Sequence, residues 1–253
     1  MSASQTTPEN AHVLNEAKKW FHKKIVASHL VRTEKLKNPN EFDINPFTTP
    51  YLSAFFTGEV SERGIAKALV YPRILGTSIS TSFGQNLQSF ISDVLVNAFG
   101  SIVSGIDIKF IDRVDGREKY AQLKLGPNTI NADDVDTINS HFKDIKNLAR
   151  TNSVQIGSND LIVCIMYGTD SDISSHYKRL RDEFHYPVIV GNDFWHRLTG
   201  DEFFFGKLIN AISESLNEVN NASKIDSVID VLSNTDEIKR LTALAKSFNV
   251  GSE

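Results

Sequence analysis

Three polar side chains that could support chemistry interrupt two apolar stretches near the middle of the sequence. Asp107 lies in "GIDIKF", and Gln122 and Lys124 lie in "YAQLKLG". A carboxylate, an amide and an ammonium on one side of a sheet would form a polar cluster able to act on a charged ligand. The alternative is a solvent-facing sheet surface with one cross-strand salt bridge, worth less than about 1 kcal/mol.

A hairpin signal places these side chains relative to one another. Asp115-Gly116 separates two alternating runs and predicts a β-hairpin with a two-residue turn. In that register Lys109 lies opposite Gln122, and Asp107 lies opposite Lys124. Because alternate residues of a strand share a face, all four side chains project from one side of the sheet. The apolar residues project from the other side into the core: Ile106, Ile108, Phe110, Ala121, Leu123 and Leu125.

Apolar periodicity predicts the elements around the hairpin. Thr7 and Pro8 begin a long amphipathic helix, and a second helix ends at Gly100. Asn131 is a plausible cap for a third helix. The runs "DLIVCIMYG" and "YPVIVG" have strand length and flank a helical segment, which predicts a crossover between parallel strands. The third helix is predicted to turn four residues inward: Val135, Ile138, Phe142 and Ile145.

These elements indicate an α/β fold. We expect a mixed central sheet, in which the antiparallel hairpin runs into parallel strands, flanked by helices. We expect residues 1–253 to form a single domain. Within it, residues 1–70 would form a mainly helical part and residues 70–253 the α/β core with C-terminal helices.

Composition limits the class of protein. The 253 residues are 40% hydrophobic and 23% charged, with a net charge of −4, which argues against a polycation that coats nucleic acid. Residues 1–127 hold 15 basic and 12 acidic side chains, whereas residues 128–253 hold 12 and 19. A localised anion-binding face is compatible with this distribution. The single cysteine, Cys164, and the absence of a secretory pattern or a membrane-length apolar run favour a cytoplasmic protein.

Several other chemistries lack their sequence patterns. The seven histidines show no zinc-type spacing, and one cysteine cannot build a thiolate cluster. The phosphate-cradling patterns GxGxxG and GxxxxGK[ST] and the hydrolase pattern GxSxG do not occur. The polar cluster is therefore the main candidate site.

The spacing of the cluster resembles a known nuclease core. Asp107, a hairpin and then Gln122-Leu123-Lys124 resemble the metal-dependent nuclease core written PD-(D/E)XK. The longer strings "YAQLKLGPNTINADDV" and "RILGTSISTSFGQNLQ" resemble a small group of type II restriction endonucleases, a group associated with interrupted palindromes of the GGNCC kind. The resemblance covers residues 70–150.

The resemblance implies a role for each member of the cluster. Asp107 would be a ligand of Mg²⁺, and Lys124 would position or activate the attacking water. Gln122 replaces the usual second acid, and there the sequence departs from the superfamily pattern. An amide oxygen can bind Mg²⁺ but brings no charge, so the site would hold the metal less tightly. Either Asp93 completes the site as a third metal ligand, or substrate phosphate oxygens and waters do so.

Seven further residues are candidates for DNA contact. Three lie in the loop that leads into the third helix, two in a hydroxyl-rich loop, and two beside the hairpin turn. Each of them could instead cap a helix, hydrogen-bond within its own loop or simply be solvated. They are Asn128, Thr129, Asn131, Ser80, Thr81, Arg113 and Arg117.

These expectations combine into one functional hypothesis and two rivals. The hypothesis is a Mg²⁺-dependent type II restriction endonuclease that cuts double-stranded DNA as a homodimer, with a cognate DNA methyltransferase in the same host. The first rival is a DNA-binding protein that has the nuclease fold but does not cut. The second is an α/β interaction module in which the polar cluster is only a surface.

Overall fold

The computed structural model describes residues 7–76, 84, 86–96, 100–103, 105–151, 155–217 and 221–247. The described strands are Gly100–Val103 (β1), Ile106–Ile111 (β2), Glu118–Lys124 (β3), Leu161–Ile165 (β4) and Val188–Val190 (β5). The α-helices span Pro8–Trp20, Ala27–Lys35, Thr48–Thr57, Glu62–Gly76, Ala132–Thr151, Ser175–Asp182, Asn192–Thr199, Phe204–Asn217, Asn221–Ser233 and Asp236–Ser247. Two segments, Phe21–Val26 and Ile91–Val96, are π-helical, and Pro39–Glu41, Ser158–Asp160 and Asp170–Asp172 are short 3₁₀ turns.

The chain divides into two compact units. The first comprises Met1–Trp20 and Asn86–Glu214, and the second comprises Phe21–Gln85 and Ser215–Glu253. Within the parts that the structure describes, no helix is long and apolar enough to cross a membrane.

The first unit is built on one mixed sheet with strand order β1-β2-β3-β4-β5. The first three strands pair antiparallel, and β3, β4 and β5 pair parallel. The helix Ala132–Thr151, called here the covering helix, connects β3 to β4, and Ser175–Asp182 connects β4 to β5. The predicted α/β fold with a hairpin running into parallel strands is confirmed.

The hairpin turn differs from the prediction. The backbone N–H of Asp112 donates to the carbonyl of Arg117 at 2.9 Å, so residues 113–116 form a four-residue turn that includes Gly116 at φ +71°. The buried Asp112 carboxylate accepts from the backbone N–H of Val114 at 2.8 Å and from the Arg197 guanidinium at 2.8 Å. This side chain holds the wider turn, which a two-residue pattern does not anticipate.

The wider turn shifts the register by two residues. Lys109 lies opposite Tyr120 rather than Gln122, and Ile108 lies opposite Ala121. Continuing this register brings Asp107 level with Gln122 rather than with Lys124. A shift of two keeps every side chain on its predicted face, whereas a shift of one would have reversed them all.

The polar face of the hairpin is covered rather than solvent-facing. The apolar residues of the covering helix that were predicted to turn inward pack against this side of the sheet. They form one buried cluster with Tyr120 and with β4 residues such as Val163. Gln122 is only 7% exposed. Every residue of β4 is buried, as expected for a parallel strand that is covered on both faces. The polar cluster therefore lies at the edge of a core and not on an open surface.

The second unit is helical. Its core joins Glu62–Gly76 to the two C-terminal helices through Ile65, Val70, Ile74, Val228, Ile229, Leu232, Ile238 and Leu241. The Arg63 guanidinium binds the carboxylates of Asp226, at 3.1 Å, and Asp230.

Candidate active site

Asp107 is tied to the neighbouring strand through its carboxylate. Its Oδ2 accepts from the backbone N–H of Leu123 at 2.7 Å. Burial raises the pKa of Asp107, and the Leu123 N–H and the Lys124 ammonium only partly oppose this effect. Oδ2 is engaged by the backbone, which makes Oδ1 the oxygen with more capacity to bind a cation.

Gln122 is held by two groups. Its Nε2 lies 2.8 Å from the carbonyl oxygen of Gly105 and 2.8 Å from Nδ1 of His141 on the covering helix. A carbonyl oxygen can only accept, so the amide nitrogen, and not the amide oxygen, must face Gly105. The amide oxygen Oε1 is then the atom that Gln122 can offer to a ligand.

Lys124 is the last residue of β3 and is partly exposed. Its Nζ lies 4.0 Å from Oδ1 of Asp134, in the first turn of the covering helix. The other oxygen of Asp134 accepts from the backbone N–H of Asn131 at 2.9 Å, and Oδ1 of Asn131 accepts from the Asp134 N–H at 3.0 Å. The predicted Asn131 cap is confirmed. The reciprocal cap orients the carboxylate that faces Lys124.

One cavity of about 370 Å³ collects these groups. It is lined by Gln88, Gly105, Ile106, Asp107, Gln122, Lys124, Asp134, Thr137, Ile138 and His141. The three residues predicted to act together therefore open into the same space. Lys109 does not join them, because its ammonium pairs with Glu118 at 2.9 Å and lies over the ring of Tyr120.

The donor set fits a loosely held divalent cation. One carboxylate oxygen of Asp107 and the amide oxygen of Gln122 are oxygen ligands of the kind that Mg²⁺ uses. Among the residues that the structure describes, no three His, Cys, Asp or Glu side chains cluster as a metal site. Mg²⁺ commonly keeps several waters and shares substrate phosphate oxygens, so two protein ligands are compatible with it.

The third predicted metal ligand lies elsewhere. Asp93 is exposed in the π-helical segment Ile91–Val96 and accepts from the Ser92 hydroxyl at 3.2 Å. It is not among the residues that line the cavity. The ligand role of Asp93 remains a prediction.

The predicted DNA contacts fall into three groups. Asn128 and Thr129 are exposed in the loop after β3, and the Thr129 hydroxyl donates to the Gly126 carbonyl at 2.9 Å. Arg113 and Arg117 lie at the hairpin turn and bind the carboxylates of Glu9 and Asp160. Ser80 and Thr81 lie outside the described residues. A DNA contact by any of these residues, or by the helix cap Asn131, remains a prediction.

Sequence reasoning did not identify His141 or Asp134 as site residues. His141 borders the apolar stripe of the covering helix, and Asp134 reads in the sequence as an ordinary first-turn acid. The available signal was that a helix follows directly after the active strand. Such a helix must return over the sheet to reach a parallel strand, and so it passes the polar side chains.

The fold and the cavity together define the class of protein. A mixed sheet that presents an aspartate on β2 and an amide-x-lysine on β3 has the architecture of restriction-endonuclease-like nucleases. The family model described as Type II restriction endonuclease EcoO109I matches residues 15–220, so the chain belongs to this family. No curated protein was found to match the chain. Membership makes the protein a nuclease that acts on DNA, and the predicted type II resemblance is confirmed.

Proposed function

We propose that the protein is a Mg²⁺-dependent, site-specific deoxyribonuclease that hydrolyses phosphodiester bonds of double-stranded DNA. The observation that carries this proposal is the single cavity into which Asp107, Gln122 and Lys124 all open. Oδ1 of Asp107 and Oε1 of Gln122 would hold the cation. When bound, Mg²⁺ would lower the pKa of a water and offset charge on the phosphate.

The side chains of this chain would do the remaining work. Lys124 places a positive charge beside the attacked phosphate, where negative charge develops in the transition state. The carboxylate of Asp134, which the helix cap fixes, lies 4.0 Å from that ammonium and attracts it weakly. The exposed amide of Asn128 would donate to the DNA backbone just beyond the strand, with the exposed Thr129 beside it.

The proposal extends to the target and the assembly. The resemblance supports an interrupted palindrome of the GGNCC kind. A two-fold target is most simply read by two copies of the chain, each cutting one strand, so we propose a homodimer. A cognate methyltransferase in the same host would protect the host's own sites. That residues 1–253 act together as one nuclease is part of the same proposal.

The direct experiment is digestion of a DNA of known sequence with Mg²⁺ and, in parallel, with excess EDTA. Discrete fragments that require Mg²⁺ and whose mapped ends share one palindrome support the proposal. Sedimentation of the protein with an oligonucleotide carrying that palindrome then counts the copies bound. Random degradation, or discrete cutting that persists in EDTA, contradicts it.

A second candidate is a DNA-binding protein of the nuclease fold that does not cut. It is favoured by one observation, the neutral Gln122 where the superfamily pattern has an acid. A sequence-specific gel shift on duplex DNA without cleavage at any Mg²⁺ concentration would select this candidate.

A further inference from the structure

The Gln122 amide faces two hydrogen-bond acceptors that come from different elements. One is the carbonyl oxygen of Gly105, immediately before β2, and the other is Nδ1 of His141 on the covering helix, each 2.8 Å from Nε2. An amide nitrogen carries two hydrogens, so both are used. His141 must present an unprotonated Nδ1, which leaves the hydrogen of the neutral ring on Nε2.

Gly105 and His141 lie next to each other. Gly105 has φ +77°, and a Cβ added there would lie 3.4 Å from both Cβ and Cγ of His141. A glycine therefore satisfies the left-handed backbone and leaves the space beside His141 open, where a Cβ would be in van der Waals contact with the side chain.

We propose that His141 is a positioning residue that, together with the Gly105 carbonyl, fixes Gln122 with Oε1 towards the cavity. This inference rests on the proposed function for its catalytic consequence, but the hydrogen-bond pattern exists without the metal. It also accounts for the departure from the superfamily pattern. A glutamate here would place a carboxylate oxygen about 2.8 Å from the Gly105 carbonyl, and two acceptors repel each other at that distance.

Two variants of His141 separate positioning from packing. His141→Phe keeps a ring against Gly105 but removes the acceptor, whereas His141→Asn keeps an acceptor near the position of Nδ1. Single-turnover cleavage by His141→Phe should fall about 10-fold or more, as expected when the support of a metal ligand is lost, and its Mg²⁺ requirement should rise. His141→Asn should stay within about 3-fold of wild type. Duplex binding without divalent metal should be unchanged in both folded variants.

Gln122→Glu tests the choice of amide over acid. The structure predicts that this variant cuts at least about 10-fold more slowly than wild type at saturating Mg²⁺, although it restores the superfamily acid. A folded Gln122→Glu protein that cuts as fast as wild type, or faster, would overturn the proposal. So would a His141→Phe protein with wild-type rates.

A measurement on the metal-free protein is independent of cleavage. Nitrogen-15 NMR of labelled histidine reports which ring nitrogen carries the proton, and His141→Asn assigns the signal. The expected result is the Nε2–H form of His141. An Nδ1–H form would overturn the inference. If wild-type protein shows no Mg²⁺-dependent cleavage while His141 is in the Nε2–H form, the proposed function fails and the hydrogen-bond pattern stands.

Discussion

The carboxylate of Asp107 accepts a hydrogen bond from the backbone N–H of Leu123 at 2.7 Å and so links β2 to β3 between the two other members of the cluster. Gln122 and Lys124 flank Leu123 in sequence, and their side chains emerge on the face that carries Asp107. This hydrogen bond holds the Asp107 carboxylate in a partly buried position, and burial raises its pKa. Holding an ionised group there costs folding stability that an inert surface residue would not cost.

Asp107→Asn should raise the free energy of unfolding in metal-free buffer near neutral pH. The folded-state pKa of Asp107 is raised, so the stability of wild-type protein falls as the pH rises through that pKa. The variant has no charge to bury, and its amide oxygen can still accept from the Leu123 N–H. Chemical denaturation with EDTA present measures the difference.

The advantage of Asp107→Asn should disappear below the ordinary pKa of an aspartate, because the wild-type carboxyl is then neutral in both states. Asp144→Asn on the exposed side of the covering helix is the matched control and should show no such pH dependence. A less stable Asp107→Asn protein at neutral pH would contradict this account of the site.

Asp160→Asn should destabilise the first unit. The carboxylate is 6% exposed and pairs with Arg117 and with the buried Lys119 at 3.4 Å. Lys119 keeps the Asp115 carboxylate at 2.7 Å after the substitution, so the lost contacts are charge-assisted hydrogen bonds, and we expect a loss of about 1.5 kcal/mol near neutral pH. Asp170→Asn, which removes a surface partner of Arg181, is the control and should change stability by less than about 0.5 kcal/mol.

The pH dependence of the Asp160 effect has the opposite sign to that of Asp107. Burial acts to raise the pKa of Asp160, but hydrogen bonds from Gly157, Arg117 and Lys119 outweigh it and hold the pKa below its ordinary value. The stabilisation is therefore present above the unfolded-state pKa and is lost as the pH falls through the lowered folded-state pKa. Unfolding titrations of both proteins at decreasing pH should converge. A constant difference would show that the charge is not its source.

Gly105→Ala should lower both stability and cleavage. Its φ of +77° is strained for alanine, which costs about 1–2 kcal/mol, and relief of that strain would shift the backbone beside His141, whose Cβ would lie 3.4 Å from the added methyl group. Gly116→Ala is a matched control with φ +71° and nothing within 4 Å of the added Cβ. Both variants should lose similar stability, but only Gly105→Ala should lose cleavage rate. Equal cleavage rates would show that the contact with His141 is not needed.

Much of the sheet could be predicted from local patterns. The alternation in β2 and β3 sets which side chains share a face, and face assignments survive any even shift of register. The register itself depended on the Asp112 carboxylate, whose partner Arg197 lies 85 residues away. A local turn rule has no information about such a contact.

The surroundings of the cluster could not be predicted in the same way. The inward-facing apolar residues of the covering helix were predicted correctly, because helical periodicity can be read from neighbouring residues in the sequence. What the helix places over Gln122 depends on its height and rotation on the sheet, which packing determines. The sequence indicates that a helix passes the polar side chains but not which of its residues lies beside Gln122, so His141 was missed, whereas Asp107 and Lys124 were predicted from spacing and resemblance.

Single-turnover cleavage of a duplex that carries the mapped site, by wild type and by Lys124→Ala, tests whether the cavity is the active site. We expect a rate at least about 100-fold lower for Lys124→Ala in Mg²⁺, because the charge beside the phosphate is lost. Duplex binding without metal should change little, and the exposed-site control Lys143→Ala should cut at the wild-type rate. A folded Lys124→Ala protein that cleaves as fast as wild type would contradict the claim that this cavity is the active site.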